Sequence, residues 1–406
     1  MERPEARILT TNNLLIALGE TDSASLRQDF CGSVIEDLTQ GLPDLSGKTV
    51  YLCGDLSKAS GLALDDAQRV FVIRELSRGG NDVRARWSPV GLGRAPLRVH
   101  GVGVYYRRFF DPDGDYFARL SSEHTFQALT ESTKPSKAHR TGLYLTPVER
   151  DAEGLHFRLL RCSTNLSGPT ENFSTTDHAI VDALNQEASV IFQDQAPLNH
   201  VLAQIYHNTP ASETQRQAKA KISAHADKTK DMPGNGLMAF CTFYDGLEKL
   251  QPLTDDAFDY GDNGVSGLTR LEFHLKDAAA DEAGGTLPQR FTVTLYPDSV
   301  FFMPLSTNRL YTHEIRSAAL DAEQLPTRLG YVVRCSSAEA VHVEGQTYLK
   351  RGRELVKLAP PTDEELQELR ALYAQENKSA APMDYGSGHD FSMNEGDYLA
   401  PRLRTD

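Results

Sequence analysis

Between residues 236 and 335 the chain repeats one local pattern. Runs rich in β-branched and aromatic residues fall at 236–243, 269–275, 290–296, 299–303 and 328–335, each bounded by turn formers. Runs this short cannot carry the long apolar stripe of a packed helix, but they pair readily as strands. Strands that follow one another through tight turns pair antiparallel. The expected fold class is therefore mainly β with flanking helices, an α+β arrangement.

The rest of the chain is organised around that block. Its 406 residues exceed the usual size of one domain. Residues 1–100 read as an α/β extension, with a helix over 25–38, a buried strand over 49–53 and a helix over 67–76 that stops at Gly79-Gly80. Arg84, Arg86, Arg94 and Arg98 gather around Trp87 and read as a solvated surface. Residues 101–350 form the expected catalytic domain. It includes a helix over 114–126 and another that starts from a cap at Thr175-Thr176-Asp177 and carries Ile180, Val181 and Leu184. The stretches 254–263 and 277–286 look like solvated loops. Residues 351–406 offer a charged helix over 363–373 and then a Gly, Ser, Asn and Asp-rich stretch with little to bury, expected to be mobile.

Composition removes several function classes. The net charge of −14 disfavours nonspecific grip on a phosphate backbone, although a local basic cleft is compatible with it. No apolar run approaches the roughly 20 residues of a membrane helix, and the N-terminus lacks the pattern of a secretory signal, so the expected location is cytoplasmic. Cys31, Cys53, Cys162, Cys241 and Cys335 have no paired spacing and read as reduced, mostly buried thiols.

The chemistry sits in the β block. Non-haem iron oxygenases need two imidazoles and a carboxylate on one face of the metal, with the opposite positions open. His225-Ala226-Asp227 meets part of that need, because residues two apart in an extended segment project to the same side. Alone it is a weak signal. A second imidazole, His313, ends an apolar strand and loop that begins at Asp298, and Arg328 and Arg334 follow six residues apart. Even spacing puts both guanidinium groups on one strand face, as a dicarboxylate beside iron requires, since a guanidinium clamps a carboxylate bidentately and keeps its charge when buried.

From about Leu198 to Ser336 the chain resembles the AlkB-like 2-oxoglutarate dioxygenases. The family's Asn-x-Tyr is echoed by Gln204-Ile205-Tyr206, and its Lys-Leu-Ser-x-His-x-Asp by Lys221-Ile222-Ser223-Ala224-His225-Ala226-Asp227. Its distal His segment is similar to Asn308 through Ile315, and its closing Arg pair to Arg328 and Arg334. The departures are Gln204 in place of Asn, a longer insert over 207–220, and Thr229 where the DNA-repair members carry an acidic residue that helps read the base. The resemblance implies a double-stranded β-helix, a jelly-roll-like sandwich, behind the N-terminal extension. It implies Fe(II) on His225, Asp227 and His313. 2-Oxoglutarate would be held by Arg328, with Arg334, Tyr206 and Gln204 completing its pocket, and dioxygen would be the other cosubstrate.

The implied reaction is hydroxylation or oxidative demethylation of a C–H bond, with release of succinate and CO2. On this reading the substrate is a nucleobase, possibly methylated, and nucleic acid is a partner. Lys219, Lys221, Lys228, Lys230 and Arg140 would form a basic rim, with Thr229, Phe243, Tyr244 and Tyr311 as substrate contacts. Two alternatives stay open: a hydroxylase of a protein side chain or small metabolite, favoured by the acidic charge and by Thr229, and an inactive binding module.

Overall fold

The computed structural model describes residues 5–19, 23–39, 41–79, 86–130, 137–162, 166–280, 286–386 and 388–403. Its centre is a pair of facing sheets. The larger places Glu171–Asn172, Lys137–Thr146, His200–Tyr206, Thr327–Arg334, Leu237–Asp245, Ser299–Pro304, Gly103–Tyr106 and Leu97–Val99 side by side in that order. The smaller runs Ile222–His225, Tyr311–Arg316, Arg270–Leu275, Arg290–Thr294. Pairing is antiparallel throughout the smaller sheet and the centre of the larger one, as the turn-separated runs predict.

Strand alternation assigns the two faces of the large sheet. Met238, Phe240, Phe301 and Met303 point inward and pack with Leu271, Phe273, Phe291, Tyr311 and Ile315 of the small sheet. Ala239, Cys241, Phe243, Val300 and Phe302 point outward and are covered by Ile180, Val181, Leu184 and Ala188 of the helix Thr175–Ile191. That helix begins with a capping box. Ser174 Oγ accepts the Asp177 N–H at 3.1 Å while Asp177 Oδ2 accepts the Ser174 N–H at 2.7 Å, so the cap lies one residue before the expected triplet.

Asp177 has a second task. His124, just past the helix Tyr116–Glu123, lies 2.7 Å from Asp177 Oδ2 through Nε2 and 3.1 Å from Glu171 Oε2 through Nδ1. Burial opposes charge on the ring, but hydrogen bonds to the two carboxylates outweigh it and raise its pKa to about 9. A raised folded-state pKa contributes stability that is complete below the unfolded value of about 6.5 and is lost as pH rises through about 9. The expected contribution is at most about 3 kcal/mol. Thermal melts from pH 6 to 10 should show it as a loss of Tm on the alkaline side that His124→Gln flattens; an unchanged slope would count against the ion pair.

The N-terminal region is a separate five-stranded sheet, all parallel, in the order Ser33–Ile35, Asn13–Leu18, Thr49–Asp55, Arg69–Arg78, Trp87–Val90. Two expected helices change here. In place of the helix over 67–76 stands the strand Arg69–Arg78: Val70 and Val72 pack on one side of the sheet, Ile73 and Phe71 on the other, and β-branching favours that pleat over a helix. Residues 25–38 keep only the short helix Ala24–Asp29 before the chain turns at Gly32, where a Cβ would lie 2.4 Å from the Asn13 carbonyl oxygen.

The arginine cluster also differs from expectation. Arg86 and Arg98 are exposed, but Arg94 is turned inward onto the buried Glu187, and Arg84 lies outside the described residues. The loop 254–263 is partly structured: Tyr260–Asp262 is a strand, Tyr296 donates its hydroxyl hydrogen to Asp256, and the Arg107 guanidinium sits 4.3 Å from the Phe258 ring centre. In 277–286, Asp277–Ala280 forms a helical turn and 281–285 lies outside the described residues.

The C-terminal helix spans Asp363–Glu376 and begins with a Thr362/Glu365 capping box. Beyond it the chain is packed onto the body of the protein, against the expectation of a loose tail. Phe391, Ser392, Asn394 and Asp397 are buried, and Arg161 donates to the carbonyls of His389 and Phe391 while pairing with Asp231. A polar network holds this segment, which is why an inventory of apolar residues gives no sign of it. All five cysteines are free thiols, four of them buried. Among the described residues no helix is long and apolar enough to cross a membrane.

Candidate metal centre

His225 is the last residue of the strand Ile222–His225, and in the antiparallel register it stands directly opposite His313 of Tyr311–Arg316. Directly opposed residues project to the same face, so the two rings meet with centroids 4.6 Å apart. Asp227 comes just beyond the strand end. Its Oδ1 lies 3.5 Å from His225 Nε2 and 3.9 Å from His313 Nε2, and the three ligand atoms all lie within 4.8 Å of one another. Donors at that separation suit one ion about 2.0–2.2 Å from each.

The protonation states suit a metal as well. The Nδ1 of His225 lies 2.9 Å from the Ser223 carbonyl, to which it donates, and Nε2 is the nitrogen that faces Asp227. Burial, with His225 adding to it, pushes the His313 pKa down to about 3, so that ring is neutral. Burial works against the charge on Asp227, yet the Arg334 guanidinium beside it holds the carboxyl well below the usual range. Arg334 donates to a single oxygen, Oδ2, from Nε at 2.8 Å and from Nη2 at 2.6 Å. Oδ1 is left to face the two imidazoles.

Arg328 sits on the same strand face, six residues before Arg334. Its guanidinium carbon lies 3.9 Å from the centre of the Tyr206 ring, its Nε has no hydrogen-bond partner among the described residues, and the residue is only 4% exposed. Tyr206 donates to Gln204 Oε1 at 3.2 Å. Gly330 makes room for this group, since a Cβ there would come within 2.8 Å of an Arg328 nitrogen. A buried cation stacked on an aromatic ring and short of acceptors is suited to a carboxylate.

These groups share a cleft of about 860 Å³ between the sheets. His225, Asp227, His313 and Arg334 lie at one part of its lining, Arg328, Tyr206 and Gln204 at another, with Phe240, Leu295 and Val332 among the apolar walls. Arg140, Lys221 and Lys228 of the expected basic rim also line it. Lys219 does not, because it donates to the carbonyls of Ala318, Ala319 and Leu320, and Lys230 is buried beside Asp231.

The four expected substrate contacts are all placed elsewhere. Phe243 is on the outer face of its strand, stacked with Tyr116 at 5.2 Å. Tyr244 is fixed by donating to the Leu295 carbonyl and accepting the Thr269 N–H. Tyr311 is fully buried against Phe291 and donates to the Pro288 carbonyl. Thr229 donates its hydroxyl to Glu376 of the C-terminal helix at 2.5 Å. The cleft is lined instead by Leu129, Leu166 and Leu202 on one wall and by Asn377, groups that no local motif singles out.

No protein-family model matches the chain, and no curated protein matches it. Among solved structures it is similar to the non-heme alpha-ketoglutarate dependent epimerase SnoN from nogalamycin biosynthesis, with a TM-score of 0.32 and 12% identity over 59% of this chain and 81% of that one. It is also similar to OsALKBH1, with a TM-score of 0.34 and 12% identity over 57% of this chain and 97% of that one.

Proposed function

We propose that this chain is an Fe(II)- and 2-oxoglutarate-dependent dioxygenase on a double-stranded β-helix. One observation carries the reading: two imidazole nitrogens and a carboxylate oxygen converge in a cleft that also holds Arg328, a buried cation whose Nε lacks an acceptor among the described residues. Bound iron would supply dioxygen activation coupled to decarboxylation of 2-oxoglutarate to succinate and CO2, with oxidation of a substrate C–H bond. Arg328 clamps the distal carboxylate of the cosubstrate, Tyr206 supports that guanidinium from below, and Gln204 orients the Tyr206 hydroxyl. Arg334 keeps Asp227 ionised and turns one oxygen towards the imidazoles.

Arg328→Ala should therefore raise the KM for 2-oxoglutarate far more than it lowers Fe(II) affinity. Loss of one partner of a buried charge-assisted contact costs about 2–5 kcal/mol, tens-fold to thousands-fold in affinity. Succinate release with and without a prime substrate, titrated against 2-oxoglutarate, reads it out. An unchanged KM would remove Arg328 from the cosubstrate site.

For the substrate, the order of motifs supports an AlkB-like oxidation of a nucleobase. A second reading, a small anionic metabolite or protein side chain, is favoured by the cleft itself. Its basic lining, with Arg140, Lys221 and Lys228 besides the two strand arginines, suits a phosphate backbone and a small anion alike, so the stacking groups decide. The aromatic groups expected to stack on a flipped base are turned away. Alkylated oligonucleotides and small carboxylates or phosphates, screened for stimulated succinate release at rising salt, separate the two, because contacts to a phosphate backbone weaken steeply with salt.

A further inference from the structure

Of the two ligands in His225-Ala226-Asp227, only His225 sits on a paired strand; the turn that carries Asp227 has no sheet to hold it. The strand ends at His225, so the peptide groups of Ala226, Asp227 and Thr229 need partners from elsewhere. Side chains provide them. Asn308, from the helical turn Leu305–Leu310 just before the His313 strand, accepts the Asp227 N–H at 2.8 Å and donates to the Asp227 carbonyl at 3.0 Å.

The Ala226 N–H, between the two ligands, is donated to Asn377 Oδ1 at 2.7 Å. Asn377 caps the C-terminal helix and lies about 150 residues away in sequence. Its Nδ2 donates to the Tyr373 carbonyl at 3.2 Å, which fixes the amide orientation. The helix end is itself tied down: Glu376 Oε1 accepts the Thr229 N–H at 3.2 Å, and Lys276 Nζ donates to the Glu376 and Ser379 carbonyls at 2.8 and 3.1 Å. Asn377 also lines the cleft.

We propose that Asn377 is a positioning residue of the metal centre: by accepting the Ala226 N–H it fixes the turn that leads from the strand-borne His225 to Asp227, which makes the C-terminal helix a working part of the site. The inference rests on the reading of His225, Asp227 and His313 as metal ligands. Without this contact the N–H must find water or another acceptor, and the turn can rotate so that His225 Nε2 and Asp227 Oδ1 no longer face one ion. Groups behind the ligands commonly change metal affinity by about 10–100-fold.

The test uses the full chain and Co(II) as a spectroscopic probe of the ligand set. Asn377→Ala should weaken Co(II) by about 10–100-fold and change the intensity of its visible bands. Asn377→Asp, which keeps the acceptor oxygen, should restore most of the affinity, and Lys378→Ala on the exposed side of the same helix end should leave both readouts as they are. Wild-type affinity and bands in Asn377→Ala would overturn the positioning role while leaving the metal reading intact. A parent chain that takes up no Co(II) would overturn both. If Asn377→Ala does not stay folded, Asn377→Gln carries the same test: its acceptor is displaced by a methylene and must weaken Co(II), and affinity equal to the parent's overturns the role.

Discussion

Asp227→Ala should abolish Fe(II) binding and 2-oxoglutarate turnover and at the same time cost much of the stability of the metal-free chain, whereas His225→Ala should abolish binding alone. The difference lies in what each ligand does in the absence of metal. Asp227 is 8% exposed and neutralises Arg334, which is itself 8% exposed. Removing the carboxylate leaves a buried guanidinium without its counter-charge, which costs about 3–5 kcal/mol. Against a typical total of about 5–15 kcal/mol that is a large share. The side chain of His225 is one-third exposed (33%), and among the described residues it makes one hydrogen bond, from Nδ1 to the Ser223 carbonyl, beside its ring contact with His313, so its loss should stay within about 1 kcal/mol.

A third variant separates the two roles of the carboxylate. Asp227→Leu combined with Arg334→Leu removes both charges, and apolar replacement of a buried pair is often neutral or stabilising. The double variant should recover Tm relative to Asp227→Ala and still take up no metal. Calorimetric melts of the metal-free proteins, paired with anaerobic Fe(II) titrations, give both quantities. If Asp227→Ala melts with His225→Ala, the Arg334 contact carries no weight in the fold. If either variant keeps wild-type turnover, the ligand assignment fails.

The convergence of the candidate ligands was legible because their signal is local and directional. Spacing two past a strand end and spacing six along a strand each fix which way a side chain points, and the structure brings His225, Asp227, His313, Arg328 and Arg334 into one cleft. The side chains that line the cleft walls were not legible, for a related reason. Leu237–Asp245 is buried on both faces over most of its length, so its apolar run carries no parity. Phe240 and Thr242 face the cleft while Phe243 faces the helix layer, and only the register decides between them. Asn377 was beyond reach because it arrives from a distant helix. The strand at Arg69–Arg78 was misread because Val70, Ile73 and Leu76 also fit a helical spacing, and the parallel pairing that selects strand is non-local.

The largest effect outside the cleft is expected at Glu187. This residue, 1% exposed on the Thr175–Ile191 helix, accepts from Arg69 Nη1 and Arg94 Nη2, each at 3.0 Å, and from the Tyr106 hydroxyl at 2.6 Å. It thereby joins the N-terminal parallel sheet, the turn at Leu92–Arg94 and the large sheet. Glu187→Gln keeps the shape but leaves two guanidinium groups facing each other without a counter-charge, a loss of about 3–5 kcal/mol. Trp87, the sole tryptophan of the sequence, lies buried in the N-terminal sheet, so its fluorescence reports on that region alone while far-UV dichroism reports on the whole. In urea the Trp87 transition of Glu187→Gln should shift to lower concentration and separate from the dichroism transition. Acid should act in the same direction on the parent. Burial pushes the Glu187 carboxyl up, but Arg94 and Arg69 outweigh it and hold it below its ordinary value. Its stabilisation is thus present above the unfolded pKa of about 4.3 and lost as pH falls through the lower folded value. Because Glu187 reaches the outer face of the large sheet, opposite the cleft, Fe(II) affinity measured under native conditions should stay as in the parent. Superimposed transitions with an unshifted Trp87 midpoint would mean that the two arginines find other acceptors and that apolar contacts hold the extension in place.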